Sequence, residues 1–353
     1  MRHSGREMEF CNFIYQKIVD KVKLNKRDTE RFAADFGIVD QNAVKELCEL
    51  AIVYRARDLA HRKNTLKVRY DDIVELYRSQ VNLSHRTSQS VMLQQYSTPA
   101  PIAFLAGTFI LKQRYFEEYR AHYHQTGTNY FEPSAGNGLL TIALPANNTI
   151  VNEIDEFRSK NLAEQSFSKQ LRQDATQAFP YFLVFDGIIT NPPFGKLEKT
   201  VTVSGFPINT LEQMMAIRAL DTMKDDGRAA IIIGGHTDWD SEGRIKAGKN
   251  RIFFSYLYKH YNVMDVINID GDLYSRQGTS FDVRLILIDG RKSKPQGYPP
   301  LKRASDTVVK DFEHLYYRVT KHFATASSDE KQRRIRILKA RAIAELELLK
   351  LAS

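Results

Sequence analysis

Four consecutive residues, Asn191 to Phe194, have the groups that are needed to hold an exocyclic amine. They close an apolar segment that begins at Phe185, and this pattern predicts a buried strand that ends in a rigid polar turn. The two prolines fix φ and lack N–H donors, so the Pro192 carbonyl and the Asn191 amide oxygen remain as paired acceptors. The Phe194 ring could stack on a planar group that carries the amine. Asn-Pro and Pro-Pro are also common in ordinary turns, so the interpretation depends on the neighbouring segments.

A second candidate site precedes this turn, in the segment from Phe131 to Gly138. A short apolar strand leads into a loop of small residues, and an apolar helical start follows. Gly136 and Gly138 allow positive φ and close backbone approach, while the helix N-terminus would offer N–H groups to an anion. The loop lacks the GxGxxG spacing and the GK[S/T] ending, so neither NAD nor ATP is the predicted ligand.

Acidic residues follow the next two predicted strands. Glu153 lies about twenty positions after the loop, where a carboxylate would meet ribose hydroxyls in a doubly wound sheet. Asp155 could have this role or could cap the helix that begins near Glu156. Asp174 ends a further strand and could accept from an adenine amino group, although it could also be a solvated loop acid.

In this order the motifs resemble those of the N6-adenine DNA methyltransferases, which use S-adenosylmethionine. The resemblance covers residues 94–290, with Asn191 to Phe194 as the NPPF motif. It is to the gamma class, in which the methionine-binding segment, here Gln95 to Ala103, precedes the catalytic tetrapeptide. It implies that Asn191, Pro192, Pro193 and Phe194 are catalytic and that no metal is needed. The implied cofactor-binding residues are Gln95, Tyr96, Thr98, Pro99, Glu132, Pro133, Ala135, Gly136, Gly138, Glu153, Ile154, Asp174, Ala175 and Asn191.

The chemistry explains the need for acceptors in the turn. The lone pair of adenine N6 is delocalised into the ring, so the nitrogen is a poor nucleophile until acceptors hold its protons. Acceptors that are already in place stabilise the positive charge that develops at N6 during methyl transfer. The base must leave its duplex to reach such a pocket.

The elements that must position these residues predict an α/β fold. We expect a seven-stranded Rossmann-like methyltransferase sheet with helices on both faces, a helical N-terminal domain and C-terminal helices. After the motif, the pattern predicts a helix over Leu211 to Met223, a turn over Asp225 to Gly227 and a buried strand from Arg228. A strand over Val263 to Ile269 and a partly exposed final strand over Ser280 to Asp289 follow.

The predicted domains are a helical N-terminal domain (1–90), a methyltransferase core (91–290) and a basic helical C-terminal extension (291–353). Apolar spacing predicts N-terminal helices over Met8 to Leu24, Thr29 to Phe36, Asn42 to Lys63 and Tyr70 to Asn82, and a C-terminal helix from Ser327. The N-terminal helices could present a basic face to a DNA backbone, a solvated face or a partner-docking face. The cations of that face are Lys21, Lys23, Lys26, Arg27, Arg55, Arg57, Arg62, Lys63, Lys67 and Arg69.

Two polar segments are candidates for DNA contact. The segment from His236 to Arg251 follows a strand's carboxyl end, where it would lie at the rim of the site. The segment from Gly195 to Pro207 is a candidate substrate loop. The expected DNA-binding residues are Lys196, Trp239, Lys246, Lys249 and Arg251, with Trp239 as a wedge or stacking surface, although both segments could be merely solvated.

The composition agrees with a polyanion as partner. The formal charge is +9, and cations on phosphate add salt-dependent affinity, but basic proteins that never touch DNA also exist. An apolar run of membrane length and a signal-peptide pattern are both lacking, which predicts a cytoplasmic protein of a bacterium or mobile element without membrane contact. Two cysteines, Cys11 and Cys48, give neither a disulfide framework nor a metal cluster.

The sequence departs from the family after the core. Family members of this order usually carry a large target-recognition domain there, but sixty-three residues follow Gly290 (353 minus 290). Recognition in a restriction-modification setting is therefore expected from the N-terminal helices, from the two polar segments, or from a partner such as a specificity subunit or a second copy. RNA methylation, protein-glutamine methylation and a non-catalytic DNA-binding role stay open as alternatives.

Overall fold

The computed structural model describes residues 2–80, 97–111 and 129–323. In these ranges the strands are β1 (Tyr130–Glu132), β2 (Thr149–Asn152), β3 (Lys169–Leu171), β4 (Phe185–Thr190), β5 (Lys196–Val203), β6 (Phe206–Thr210), β7 (Met223–Gly234), β8 (Tyr261–Ile269) and β9 (Val283–Arg291). The helices are α1 (Gly5–Val19), α2 (Lys26–Asp35), α3 (Gln41–Ala60), α4 (Leu66–Ser79), α5 (Ala100–Ile110), α6 (Glu156–Ala163), α7 (Leu211–Asp221), α8 (Lys249–His260) and α9 (residues 312–323).

Seven strands form one mixed sheet in the order β3-β2-β1-β4-β7-β9-β8. The first five pair in parallel, whereas β9 is antiparallel to both of its neighbours. The strand order reverses between β1 and β4, which is the point where open α/β sheets bind ligands, outside the carboxyl ends of the strands. The predicted α/β fold with a seven-stranded sheet is confirmed.

Helices cover both faces of the sheet because its central strands are apolar on both sides. On β7, Ala230 and Ile232 belong to the core cluster that includes α4, α5 and α9, and Ile231 and Ile233 belong to the cluster that includes α7 and α8. Successive side chains of a strand point to opposite faces, which accounts for this alternation. The sheet is thus rigidly held from both sides, and its carboxyl edge is a fixed platform.

The N-terminal helices lie close to their predicted positions. Ser4 and Asn25 begin α1 and α2 with capping boxes, and the Asp40 carboxylate caps α3 through the N–H groups of Asn42 and Ala43. Helix α3 also packs on α6, so the N-terminal helices contact a helix that covers the sheet. The predicted boundary at residue 90 and the helix predicted from Ser327 lie outside the described residues.

Two predictions about the later strands are wrong. The turn predicted over Asp225 to Gly227 lies inside β7, where a bulge opposite β4 takes up the extra polar residues. The final strand β9 is buried between β7 and β8, not partly exposed. Its polar residues have internal partners: Arg284 donates to the Gly234 carbonyl at 2.6 Å, and Asp289 pairs with Arg228 at 3.1 Å. The alternation of polar and apolar residues therefore did not mark a solvated face.

Helix α9 is held against β8 by charged side chains. Asp265 of β8 is buried and accepts hydrogen bonds from Arg318 and His322 of α9, each at 2.8 Å. Although burial opposes ionisation, these partners hold the pKa of Asp265 below its usual range. In the described ranges, every helix is too short or too polar to cross a bilayer.

A pH effect on stability is expected at the contact between the N-terminal helices and the core. His61 follows α3, and its Nε2 lies 3.0 Å from the Ile142 carbonyl. Burial, with a smaller contribution from the Arg57 charge, lowers the pKa of His61 from 6.5 to about 4. The unfolded state therefore binds the proton more tightly than the folded state does. The stability that depends on a neutral, buried His61 is fully present above pH 6.5 and is lost as the pH falls towards 4. Urea unfolding of the wild type and of His61→Gln over this range should give a weaker pH dependence for the variant; parallel curves would contradict the assignment.

Candidate functional site

A cavity opens at the carboxyl edge of the sheet, at the reversal point between β1 and β4. Its empty volume, including the open mouth, is about 1020 Å³. The sequence-predicted residues that line it are Thr98, Pro133, Ala135, Gly136, Glu153, Ile154, Asp174, Ala175, Asn191, Pro192, Pro193 and Phe194. Pro99, Glu132 and Gly138 lie behind the lining, and Gln95 and Tyr96 lie outside the described residues. The ligand roles of all of these residues stay predictions.

One amide that the sequence analysis missed holds the loops of this edge together. Asn152, the last residue of β2, donates from Nδ2 to the carbonyls of Pro133 and Gln173, both at 2.9 Å. Its Oδ1 accepts from the Gln173 N–H at 2.9 Å. The loops after β1 and β3 are thereby joined to β2, so a ligand would meet a preorganised edge. A polar residue at the end of an apolar strand is the signal that could have indicated this role.

The glycine-containing loop differs from its prediction after Gly138. The predicted helix is a single 3₁₀ turn, Leu139–Thr141, since Pro145 follows closely and interrupts any longer helix. Gly138 has φ 88°, and a Cβ there would lie 2.7 Å from the Gln165 amide oxygen. This glycine is therefore required by packing. Gly136 has φ 54° and does line the cavity, as the prediction of close backbone approach requires.

The two acidic residues of this edge are buried in different ways. Glu153 accepts from the Gly136 N–H at 2.7 Å and from the Asp155 N–H at 2.8 Å, which fixes its carboxylate beside the loop. Burial raises the pKa of Glu153. Glu132 is fully buried and accepts from Ser134 with Oε1, while its Oε2 has no partner within the described ranges. Burial raises the pKa of Glu132 well above its usual range. Asp155 caps α6, which is one of the two roles predicted for it.

The predicted catalytic turn is held by a contact from another part of the chain. The Asn191 amide donates from Nδ2 to the Thr98 hydroxyl at 2.9 Å, and Thr98 is buried at the start of α5. This contact leaves the Asn191 amide oxygen available as an acceptor at the cavity. The Phe194 ring packs against Gly234 at the end of β7, where an added Cβ would lie 3.1 Å from the ring. Glu212 of α7 accepts from the Gly195 N–H at 3.1 Å and fixes the end of the turn.

Helix α3 adds two carboxylates at this edge that the sequence analysis missed. Glu49 is 2% exposed, lines the cavity and accepts from the Ser97 hydroxyl. Glu46 pairs with Arg158 of α6 at 3.2 Å and accepts from the Asn137 amide. Burial, and then the charge of Glu46, raises the pKa of Glu49. Two acids three positions apart on one helix, immediately before the apolar stretch from Leu50 to Val53, are the signal that could have indicated this site.

The five predicted DNA-binding residues lie in three parts of the structure: the β5-β6 hairpin, the start of α8 with the residues before it, and the edge of a core cluster. Lys196 begins the β5-β6 hairpin, which follows the catalytic turn directly, and Lys246 is exposed before α8. Lys249 is the first residue of α8, and its Nζ lies 3.9 Å from Glu212. Arg251 is half-buried. Trp239 packs against the core cluster of α7 and α8, so a role as an inserted wedge would require it to leave this contact.

Much of the proposed basic face on the N-terminal helices is engaged within the chain. Lys21, Lys26, Arg62 and Lys67 form ion pairs with acidic residues. Arg57 and Arg69 donate to backbone carbonyls. These contacts reduce the charge that this face offers to a polyanion. In the described ranges, His, Cys, Asp and Glu residues form no cluster that could hold a metal ion.

The strand order, with one antiparallel strand inserted beside the edge, is that of the Rossmann-like methyltransferase fold. A solved structure with a similar fold is a putative class I S-adenosylmethionine-dependent methyltransferase from Listeria monocytogenes, with 11% identity, 90% of this chain and 99% of that chain covered, and a TM-score of 0.48. The M protein of the type I restriction enzyme EcoKI is 14% identical to this chain. The alignment covers 82% of this chain and 68% of the M protein, with a TM-score of 0.40.

A third similar structure is the type IIG restriction endonuclease BpuSI, with 12% identity and a TM-score of 0.43. The alignment covers 83% of this chain and 37% of BpuSI, so this chain spans little more than a third of that enzyme. No protein-family model and no curated protein sequence matches the chain. Identities this low carry no information about the substrate.

Proposed function

We propose that this protein is an S-adenosylmethionine-dependent methyltransferase that modifies the N6 amino group of adenine in DNA. The observation that carries the proposal is the contact between Asn191 and Thr98, at 2.9 Å. A donated Nδ2 proton fixes the side-chain orientation, so that the amide oxygen and the Pro192 carbonyl form a pair of acceptors at the cavity. An exocyclic amine with two protons is the substrate group that such a pair fits.

The lining of the cavity fits the proposed cofactor. Ile154 is an exposed apolar side chain, 62% accessible, which suits stacking against an adenine ring. The Glu153 carboxylate, fixed by two backbone N–H groups, would accept from ribose hydroxyls, and Asp174 would accept from the adenine amine. Glu49 is the buried carboxylate that would meet the ammonium group at the methionine end. When bound, S-adenosylmethionine supplies an electrophilic methyl group on its sulfonium.

Catalysis by this chain is then a matter of orientation and charge. Asn191 and the Pro192 carbonyl hold the N6 protons and turn the nitrogen lone pair out of conjugation, towards the methyl group. The same acceptors stabilise the positive charge on N6 without reorganising solvent. Phe194 is fixed by Gly234 and offers a stacking surface to the extruded base, which offsets part of the cost of unstacking. No nucleophilic side chain takes part.

The test is product identification. Purified protein would be incubated with methyl-labelled S-adenosylmethionine and, separately, duplex DNA, single-stranded DNA, RNA and a protein extract, and the labelled product would then be hydrolysed and identified. We expect label in N6-methyladenine from DNA. Label in RNA bases or in glutamine would replace the proposed substrate, and measurable cofactor binding without label in any polymer would indicate a non-catalytic role or a missing specificity subunit or second copy.

The proposed role of Glu49 gives a specific expectation for cofactor binding. Glu49→Gln keeps the shape and can still accept from Ser97, but it removes the buried negative charge at the cavity. We expect S-adenosylhomocysteine to bind about 10- to 100-fold more weakly, which corresponds to the loss of one hydrogen bond to a charged group. Methylthioadenosine lacks the ammonium group, so its affinity should hardly change.

Calorimetric titration of both ligands measures the difference. Asp58→Asn, an exposed acid on the same helix, is the matched control and should bind both ligands as the wild type does. An equal loss for both ligands in Glu49→Gln would assign the effect to a general disturbance of the cavity.

A further inference from the structure

The first turn of α8 is connected to the catalytic turn through Glu212, and several of its features favour a negative charge. Gly248 precedes the helix with φ 128° and gives no side-chain cap to its first N–H groups. Those groups and the helix dipole favour a negative charge at this point. The helix is twelve residues long, so its dipole is well developed. Lys249 and Arg251 add two cations to the same turn.

A buried arginine lies beneath this turn. Arg284 is 2% exposed, and its Nη2 donates to the Gly234 carbonyl at 2.6 Å and to the Asn250 amide oxygen at 3.3 Å. Its Nε and Nη1 have no hydrogen-bond partner within the described ranges. Burial lowers the pKa of Arg284 to about 10, so the group stays charged at neutral pH. The Phe254 ring lies 5.4 Å from the guanidinium carbon, and the charges of Glu212 and Asp238 act on the group, but in the described ranges no carboxylate lies at ion-pair distance. An anion at the helix end would balance the remaining positive charge.

Two contacts connect this site with the catalytic turn. Gly234, the carbonyl acceptor of Arg284, also packs against the Phe194 ring. Glu212 lies between the Gly195 N–H, at 3.1 Å, and the Lys249 ammonium, at 3.9 Å. The charges of Glu212 and Asp238 oppose those of Lys249, Arg251 and Arg284, so the three cations still outnumber the two acids. An anion at the start of α8 would therefore be held next to the residue on which the base is proposed to stack.

We propose that the first turn of α8, with Lys249, Asn250 and Arg251 over the buried Arg284, binds the phosphodiester that flanks the target base. This inference rests on the proposed function and specifies its substrate class: a polymer with a phosphate next to the reacting amine. A protein glutamine has no such group, whereas DNA and RNA both have it. Asn250 orients the guanidinium and the helix N–H groups contact the phosphate, while Arg284 acts through its charge as a positioning residue.

The test is the salt dependence of nucleic-acid binding. Fluorescein-labelled DNA duplex, single-stranded DNA and RNA of mixed sequence would be titrated with protein saturated with S-adenosylhomocysteine, between about 50 and 200 mM salt. For Lys249→Gln/Arg251→Gln we expect roughly tenfold weaker binding of the preferred polymer and a log–log salt slope that is smaller by about 0.9, the value for one phosphate contact on B-DNA. Lys259→Gln, at the other end of α8, removes one cation by the same kind of substitution and should keep the wild-type slope.

The outcomes separate this proposal from the proposed function. Wild-type affinity and slope in the double variant would overturn the phosphate site, even if DNA is methylated. A reduced slope together with label only in RNA would support the site and replace DNA by RNA as its source. Failure of the wild type to bind any of the three polymers would overturn the phosphate site directly. Arg284→Lys, with thermal melting to check its fold, should weaken binding while the charge is retained, because a lysine cannot hold Asn250 and Gly234 together.

Discussion

Asn191→Ala should abolish most methyl transfer while the protein still binds its cofactor. The substitution removes the acceptor that we propose for one N6 proton. It also removes the amide group that donates to the Thr98 hydroxyl at 2.9 Å. Loss of one preorganised hydrogen-bonding group at a site of developing charge typically lowers kcat by about 10²- to 10³-fold. S-adenosylhomocysteine affinity should change only a few-fold, because Asn191 is one of many residues that line the cavity. Single-turnover rates and calorimetry give the two quantities separately.

Two further variants test the reason for this loss. Asn209→Ala changes an exposed asparagine of the neighbouring hairpin and should keep wild-type turnover. Thr98→Val removes the hydroxyl that orients the Asn191 amide but leaves the acceptor oxygen in place, so it should lower kcat less than Asn191→Ala does. If Asn191→Ala retained wild-type turnover, the turn would not be the catalytic element, whatever the cofactor affinity.

The motif residues could be predicted because each follows a strand of the parallel part of the sheet. Parallel strands end at one edge, so residues after β1, β2, β3 and β4 must meet, and sequence order alone brings Gly136, Glu153, Asp174 and Asn191 to one cavity. Thr98 was also predicted at the cofactor. Its partner Asn191, however, lies 93 positions further along the chain, and no local pattern indicates such a pair.

The remaining features depend on contacts between domains and on buried charge. Glu49 belongs to a helix that sequence periodicity assigns to a separate domain, and nothing in that periodicity shows which helix face meets the core. Arg284 made β9 look half-solvated, although its guanidinium is satisfied in part by the Gly234 carbonyl inside the fold. Both errors have one physical cause: a charged side chain can be buried when partners are available, and the partners come from distant segments.

Arg158→Met should cause the largest loss of stability among the changes considered. Arg158 is buried between α3 and the cavity, and its guanidinium pairs with Glu46 at 3.2 Å. Removing it leaves the Glu46 carboxylate buried without a cation, and Glu49 and Glu153 also lose its attraction. Breaking one partner of a buried pair typically costs about 3 to 5 kcal/mol. The free energy of unfolding in urea should fall by that amount, and the contact between α3 and α6 should be the first to open.

Lys160→Met is the matched control, on the same helix. Lys160 pairs with Glu156 at 3.6 Å, but the carboxylate is 59% exposed, so the change should cost less than about 1 kcal/mol.

The pH dependence of stability tests the cause of the loss in Arg158→Met. Burial, the largest single effect, would raise the pKa of Glu46, but the charges of Arg158 and Lys45 and the hydrogen bonds from Asn137 and Arg158 together lower it. The stability that ionised Glu46 contributes in the wild type is therefore present above the unfolded pKa and lost as the pH falls. In Arg158→Met the pKa should be raised instead, and acid should relieve the penalty, so the stability difference between wild type and variant should shrink towards low pH. A difference that is constant with pH would assign the loss to packing and not to an unpaired buried charge.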